Sequence, residues 1–148
     1  MSEQRKLRVL VVDDEPGDAR LMQLALRNSG FAIETSVAGD GVEALQLLRR
    51  QSERFRAALR PDLILLDLKM PGQSGLGFLQ ALKQDERLRA IPVIVVTTSM
   101  LESDVLAAYR CGAAGYVPKS ADLNEFMAAI NTLGQYWFRL ARLPLNCE

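Results

Sequence analysis

The chain has 148 residues, with 18 lysines and arginines balanced by 18 aspartates and glutamates, and no histidine. That length suits one compact domain with a substantial core, and zero net charge leaves no basic excess to neutralise a nucleic-acid backbone, so no direct nucleic-acid binding is expected. Without histidine, a Ser-His-Asp triad, a histidine-ligated zinc site and a phosphohistidine on this chain are excluded.

Leu7-Arg8-Val9-Leu10-Val11-Val12 is a short, nearly unbroken apolar run, the pattern of a parallel strand covered on both faces. Residues 18–28 then set Leu21, Met22, Ala25 and Leu26 at helical spacing, with Pro16 near the start and Gly30 past the end. Residues 32–37 alternate, Ile33, Thr35 and Val37 on one side, which suits an edge strand. A helix over 41–50 gathers Ala44, Leu45 and Leu48 on one face. The arginine-bearing stretch 49–60 reads as a solvated helix end and loop, irregular from 51. Leu63-Ile64-Leu65-Leu66 is a third strand, and a helix over 75–84 carries Phe78, Leu79 and Leu82. Val93-Ile94-Val95-Val96 is a fourth, followed by a helix that Ser103-Asp104 opens and Gly112 stops. Gly115-Tyr116-Val117 is a very short fifth strand. Finally Leu123, Phe126, Met127, Ile130, Leu133, Trp137 and Leu140 keep a helical step, with Gly134 placed to kink it.

Strand–helix alternation repeated five times predicts an α/β fold, a parallel sheet with helices on both faces and right-handed crossovers. The domain is expected over 1–133, with its core from about 7, and a C-terminal extension over 134–148; no second or output domain is visible. Residues 1–8 lack the apolar centre of a signal peptide, and no apolar run approaches a membrane span. Cys111 and Cys147 make neither a metal-type pair nor a disulfide framework, and Cys111, among small apolar residues, reads as a buried thiol. A cytoplasmic protein with no membrane partner is the expectation.

The acids fall where strands end. Asp13 and Asp14 follow the first strand and Asp67 follows the third. Parallel sheets bind ligands at the carboxyl ends of their strands, near the point where winding reverses. With the first and third strands as neighbours, in a 2-1-3-4-5 order, the three carboxylates meet in one crevice. There, either one takes a proton or a cation sits among them, and a hard, oxygen-ligated ion, Mg²⁺ above all, is the economical answer. Taken singly, Asp14 or Glu15 is an ordinary helix cap or first-turn charge. Asp67 differs: it ends an all-apolar strand and precedes Leu68-Lys69-Met70-Pro71-Gly72, a carboxylate presented at the mouth of a tight turn. Thr97-Thr98-Ser99 end the fourth strand and Lys119 follows the fifth. Phosphoryl transfer needs those parts: an oxygen nucleophile, a divalent ion, and donors or positive charge for the phosphoryl oxygens. The glycines at 72, 75 and 77 form no dinucleotide fingerprint, and no Walker-type lysine motif is present.

Val11-Val12-Asp13-Asp14-Glu15, Leu65-Leu66-Asp67-Leu68-Lys69-Met70-Pro71-Gly72, Val96-Thr97-Thr98 and Tyr116-Val117-Pro118-Lys119 closely resemble the receiver domains of bacterial two-component response regulators, in consistent order over about residues 7 to 133. The resemblance implies a flavodoxin-like (βα)₅ fold with Asp67 as phosphoacceptor. It makes Asp14 and Asp67 direct Mg²⁺ ligands, Asp13 an outer ligand through water, and the Lys69 main-chain carbonyl a further ligand. Thr97 would hydrogen-bond the phosphoryl group beside Thr98, Lys119 would pair with it, and Tyr116 would be the aromatic switch that turns inward when Thr97 moves. One departure stands out: Ser120 follows the lysine where most receivers have proline, which puts the outline of the adjoining loop in question.

The 51–60 insertion, Thr97-Thr98-Ser99, Lys119-Ser120 and the tail from Trp137 to Pro144 resemble, more narrowly, the small regulators partnered with bacterial phytochrome histidine kinases. Tyr136, Trp137, Phe138 and Leu140 form an aromatic cluster after the last helix. It is either a longer helix folded back on its own core or an arm for homodimerisation, and the dimer is favoured. Two other readings compete with a kinase-driven switch. A carboxylate-nucleophile phosphohydrolase would want a second acid two residues after the nucleophile, where Lys69 stands. A pseudo-receiver used only for binding would not need the complete residue set.

Overall fold

The runs of Leu, Ile and Val become the strands of one parallel sheet, and their burial explains why they are unbroken. The structure, a computed structural model, describes residues 6–70 and 74–144. The strands are β1 (Leu7–Val12), β2 (Ile33–Ala38), β3 (Leu63–Leu66), β4 (Val93–Thr97) and β5 (Gly115–Pro118), in the order β2-β1-β3-β4-β5. Every residue of β3 and β4 is buried, since both strands are flanked on each side and covered on each face. β2 is the expected edge strand, one residue later than its alternation suggested: Val37 is exposed and Ala38 closes onto the core.

The helices are α1 (Pro16–Arg27), α2 (Gly41–Arg49), α3 (Gly75–Gln84), α4 (Glu102–Arg110) and α5 (Leu123–Gln135). Asp40, Ser74 and Asp122 cap α2, α3 and α5 by accepting from the N–H three residues on. α4 opens one residue before Ser103 and has no side-chain cap. Because strand side chains alternate, the sheet feeds two cores. Leu10, Val12, Ile64, Leu66, Val93 and Val95 pack under α2, α3 and α4. Val9, Val11, Leu63, Leu65, Ile94 and Val96 pack under α1 and α5. Each such side chain, fully buried, contributes roughly 1.5–3 kcal/mol relative to exposure.

Three local expectations need correction. Cys111 is only half-buried, because it caps α4 at the rim of the core rather than within it. α5 runs through Gly134 without a break; that glycine is buried against Leu26 and Ser29, and the helix changes to a π turn only at Tyr136–Leu140. The arginine-bearing stretch before β3 is more structured than a solvated loop. It holds a 3-10 turn, Glu53–Phe55, whose Phe55 is buried under the Arg54 guanidinium, while Arg49 pairs with Asp85 and Arg54 with Glu43. Among the described residues no helix is long and apolar enough to cross a membrane. Cys147, Pro71 and Gly72 lie outside the described residues.

The register sets the rim. Val12 lies opposite Leu66 and Leu66 opposite Val95, so β1 and β3 finish level while β4 runs two residues further, to Thr97. Thr97 lies opposite Pro118, which brings the residue after β5 beside the end of β4.

Candidate functional site

Asp13 and Asp67 are extensions of the sheet, not loop residues. The Asp13 N–H donates to the Ala38 carbonyl at 3.0 Å and the Asp67 N–H to the Val12 carbonyl at 2.9 Å. Both are nearly sealed, at 2% and 6% exposure, which is costly for a carboxylate and demands partners. Asp14, one residue on, is exposed. Each of the three offers a carboxylate oxygen within 4.8 Å of the others.

The turn after Asp67 is held by its own acid, whose Oδ1 accepts from the Lys69 N–H at 3.1 Å; the Lys69 side chain is exposed. Here lies a residue whose role the sequence hid. A Cβ on Gly75 would sit 2.6 Å from the Asp67 carbonyl oxygen and 2.6 Å from the Leu68 Cα, so only glycine lets α3 start directly against this turn. The signal for it in the sequence is the pair of glycines flanking Leu76, which make no nucleotide loop and need another reason.

Lys119 reaches back across the rim. Its N–H donates to the Thr97 carbonyl at 2.7 Å, fixing the end of β5 to β4. Its ammonium donates to Asp13 Oδ2 at 2.8 Å, Asp18 Oδ2 at 2.9 Å and Asp67 Oδ2 at 3.1 Å. Asp18 is the second residue whose role the sequence hid; its place in the sequence marks only the opening of a helix. An acid in the first turn of the helix that directly follows Asp13 and Asp14 was the available clue.

Thr97 is fully buried at the same rim, its Oγ1 3.5 Å from the Ser99 N–H. Thr98 is exposed and lines a hollow with Asp18, Lys119, Ser120 and Phe126. Tyr116 is half-buried, and its hydroxyl donates to the Ser99 carbonyl at 2.9 Å, tying β5 to the turn that carries Thr97. The Ser99 hydroxyl in turn bonds Asp104 at the start of α4. Ser120 keeps a trans peptide, and its hydroxyl accepts from the Asp122 N–H at 3.1 Å, closing the loop into α5. The structure thus brings Asp13, Asp14, Asp67, Thr97, Thr98 and Lys119 to one rim and leaves Tyr116 one turn away. Tyr136, Trp137, Phe138 and Leu140 are elsewhere, on the α5 side.

Three carboxylates here bond one ammonium and a fourth, Asp14, lies beside two of them, and the ionisations follow. Burial pushes the Asp13 carboxyl above its ordinary range; hydrogen bonds from Lys119 and the Glu15 N–H pull it down, and the Asp67 charge raises it again. Burial works against a charged Lys119, but its bonds to Asp13 and Asp18 and the charges of Asp13 and Asp67 outweigh that, holding it protonated well above the usual lysine range. Surplus negative charge on clustered oxygen donors, one of them open to solvent, fits a hard divalent cation, with Asp13, Asp14 and Asp67 as the residues to hold it.

The profile of the response regulator receiver domain matches residues 9–131. The chain is 36% identical over 136 residues to response regulator Rcp1 of Synechocystis sp., covering 92% of each sequence. Among solved structures it is similar to the phosphorylated cyanobacterial phytochrome response regulator RcpA, at TM-score 0.91 and 37% identity, over 95% of this chain and 100% of that one. It is also similar to the Mn²⁺-bound form of Rcp1, at TM-score 0.88 and 34% identity, over 94% and 99%. A level rim of carboxylates, a buried threonine and a shared lysine, carried on a β2-β1-β3-β4-β5 sheet, place this chain in the response regulator receiver family, beside the phytochrome response regulators.

Proposed function

We propose that this protein takes a phosphoryl group from a sensor histidine kinase onto Asp67 in a Mg²⁺-dependent reaction and signals through protein contacts. The observation that carries the reading is the Lys119 ammonium lying within hydrogen-bond reach of both Asp13 and Asp67, next to the three-carboxylate cluster. An Asp67 oxygen, fixed at the end of β3, is the nucleophile. Asp14, Asp67 and the Lys69 main-chain carbonyl would hold Mg²⁺, with Asp13 as a further acid beside them. Bound there, the ion would supply positive charge against the acids and the incoming phosphoryl oxygens. Lys119 pairs with the phosphoryl group and Thr97 donates its hydroxyl to it, with Thr98 at the opening. Movement of Thr97 is passed to Tyr116 through the turn at Ser99, to which both are bonded.

The kinase is a bacterial phytochrome on this reading, supported by the likeness to the phytochrome regulator RcpA. The setting is the cytoplasm, with no direct nucleic-acid contact, and the last segment, including Tyr136, Trp137, Phe138 and Leu140, serves a homodimer. Tyr136 is 52% exposed and Leu140 77%, apolar surface that a second copy would cover. The test is labelling by acetyl phosphate with and without Mg²⁺, with the modified residue located by mass spectrometry. Labelling is expected only with the metal and only at Asp67, and Asp67→Asn abolishes it. Modification at another residue overturns the assignment.

A further inference from the structure

We infer that Asp18 is a resting-state tether of Lys119, competing with the phosphoryl group for one of the three N–H donors of its ammonium. The inference rests on the reading that Asp67 is the phosphoacceptor. An ammonium has three hydrogens, and here all three are committed, to Asp13 at 2.8 Å, Asp18 at 2.9 Å and Asp67 at 3.1 Å. Transfer from acetyl phosphate joins an Asp67 carboxylate oxygen to phosphorus and breaks the bond from phosphorus to the acetyl oxygen, acetate leaving with the electron pair. Asp67 is then an acyl phosphate, and its new phosphoryl oxygens need the donor that Lys119 supplies. The donor now given to Asp67 Oδ2 can pass to one of them with the residue that carries it, and a second donor reaches them only where the bond to Asp13 or to Asp18 opens.

The bond to Asp18 is the one suited to open. Asp13 is sealed, its side chain at 0% exposure, and losing the ammonium would leave a buried carboxylate unpaired. The Asp18 side chain is 36% exposed, so water replaces Lys119 there at little cost. Asp18 is not the cap of the helix end it occupies, since Glu15 is the N-cap of α1. It sits on the α1 side of the ammonium, away from the sheet, and in the hollow that also contains Thr98 and Ser120. Its negative charge also repels an incoming phosphoryl group. Lys119 keeps its orientation without it, since the bond to Asp13 and the 7% exposure of its own side chain hold it in place. Competition therefore outweighs positioning, and removing the acid favours the phosphorylated form.

The experiment compares wild type, Asp18→Asn and Asp18→Glu in the full chain, by titration with beryllofluoride in the presence of Mg²⁺ and by NMR of ¹⁵N-lysine-labelled protein. Asp18→Asn is expected to bind the phosphoryl analogue about two- to fivefold more tightly, the worth of a half-exposed ion pair, while Asp18→Glu stays near wild type. In the resting state the Lys119 ammonium resonance of Asp18→Asn differs from wild type; with the analogue bound, the two coincide. Weaker analogue binding in Asp18→Asn, an unmoved resting resonance, or a difference that survives analogue binding overturns the tether. Failure of wild type to bind the analogue, together with no acetyl-phosphate label on Asp67, instead removes the phosphoacceptor reading on which the tether stands.

Discussion

The carboxyl rim of the sheet and the aromatic turn after α5 use their side chains in opposite ways. At the rim each buried polar group is shared: Lys119 serves three acids, and Asp67 accepts from the Lys119 ammonium and the Lys69 N–H. In the aromatic turn the duties are divided. Trp137 and Phe138 pack against the α1–α5 core, Phe138 edge-on to Phe31 at 5.9 Å, whereas Leu140 faces out and Tyr136, half exposed, touches only the edge of Trp137 among the rings, at 5.2 Å. A shared network fails as a unit, while a divided one can lose its outer half and stay folded. The rim is therefore where a single change reaches both stability and chemistry, and the turn is where the two can be separated.

The largest effect tests the shared network. Lys119→Met leaves Asp13 and Asp67 buried without their counter-charge, a change worth about 3–5 kcal/mol when a buried pair is broken. A matching fall in the denaturation midpoint is expected without metal, and partial recovery on adding Mg²⁺, since an ion bound only to the folded state stabilises it. The pH dependence has a definite sign. Asp13 has a folded pKa above its ordinary 3.8, so its contribution to stability is present below that value and is lost as pH rises through the folded one. Lys119, raised above 10.5, contributes throughout that window. Wild type should accordingly gain more from Mg²⁺ at pH 7 than at pH 4. An equal gain at both would show that the acids are not held apart from water as described.

Next comes a change that adds no charge and removes none. Gly75→Ala must move the start of α3 off the Asp67 turn, because the new methyl meets backbone at 2.6 Å. Overpacking of this kind costs about 1–3 kcal/mol. Chemical denaturation should register that loss, and acetyl-phosphate labelling of Asp67 should slow along with it. Full labelling at a reduced stability would mean that α3 and the nucleophile are less tightly joined than the geometry implies.

How much could be read beforehand divides along the same line. The strand order, the two-sided burial of β3 and β4, and the meeting of Asp13, Asp14, Asp67, Thr97 and Lys119 were legible, because apolar runs of period-free pattern place their next residues at one rim whatever the details of packing. Gly75 and Asp18 were not legible. Their roles depend on how closely α3 approaches a turn and on which way a first-turn acid leans, distances that spacing does not encode. The unbroken passage of α5 through Gly134 escaped for a related reason. Glycine weakens an isolated helix, but here burial against Leu26 and Ser29 overrides local preference.

The smallest effects decide whether the aromatic turn is really divided. Phe138→Ala removes a half-buried ring from the α1–α5 core and should cost about 1–2 kcal/mol, below the range for a fully buried phenylalanine. Tyr136→Ala and Leu140→Ser change exposed side chains and should shift stability by less than about 0.5 kcal/mol. If those two residues serve a second copy, the same substitutions lower the apparent mass in analytical ultracentrifugation while the denaturation midpoint of the monomer hardly moves. Phe138→Ala then weakens folding and association together, since it carries the turn on which the outer pair is mounted. Should Tyr136→Ala and Leu140→Ser leave association untouched, the exposed half of the turn has no self-partner, and Trp137 and Phe138 are explained by intramolecular packing alone.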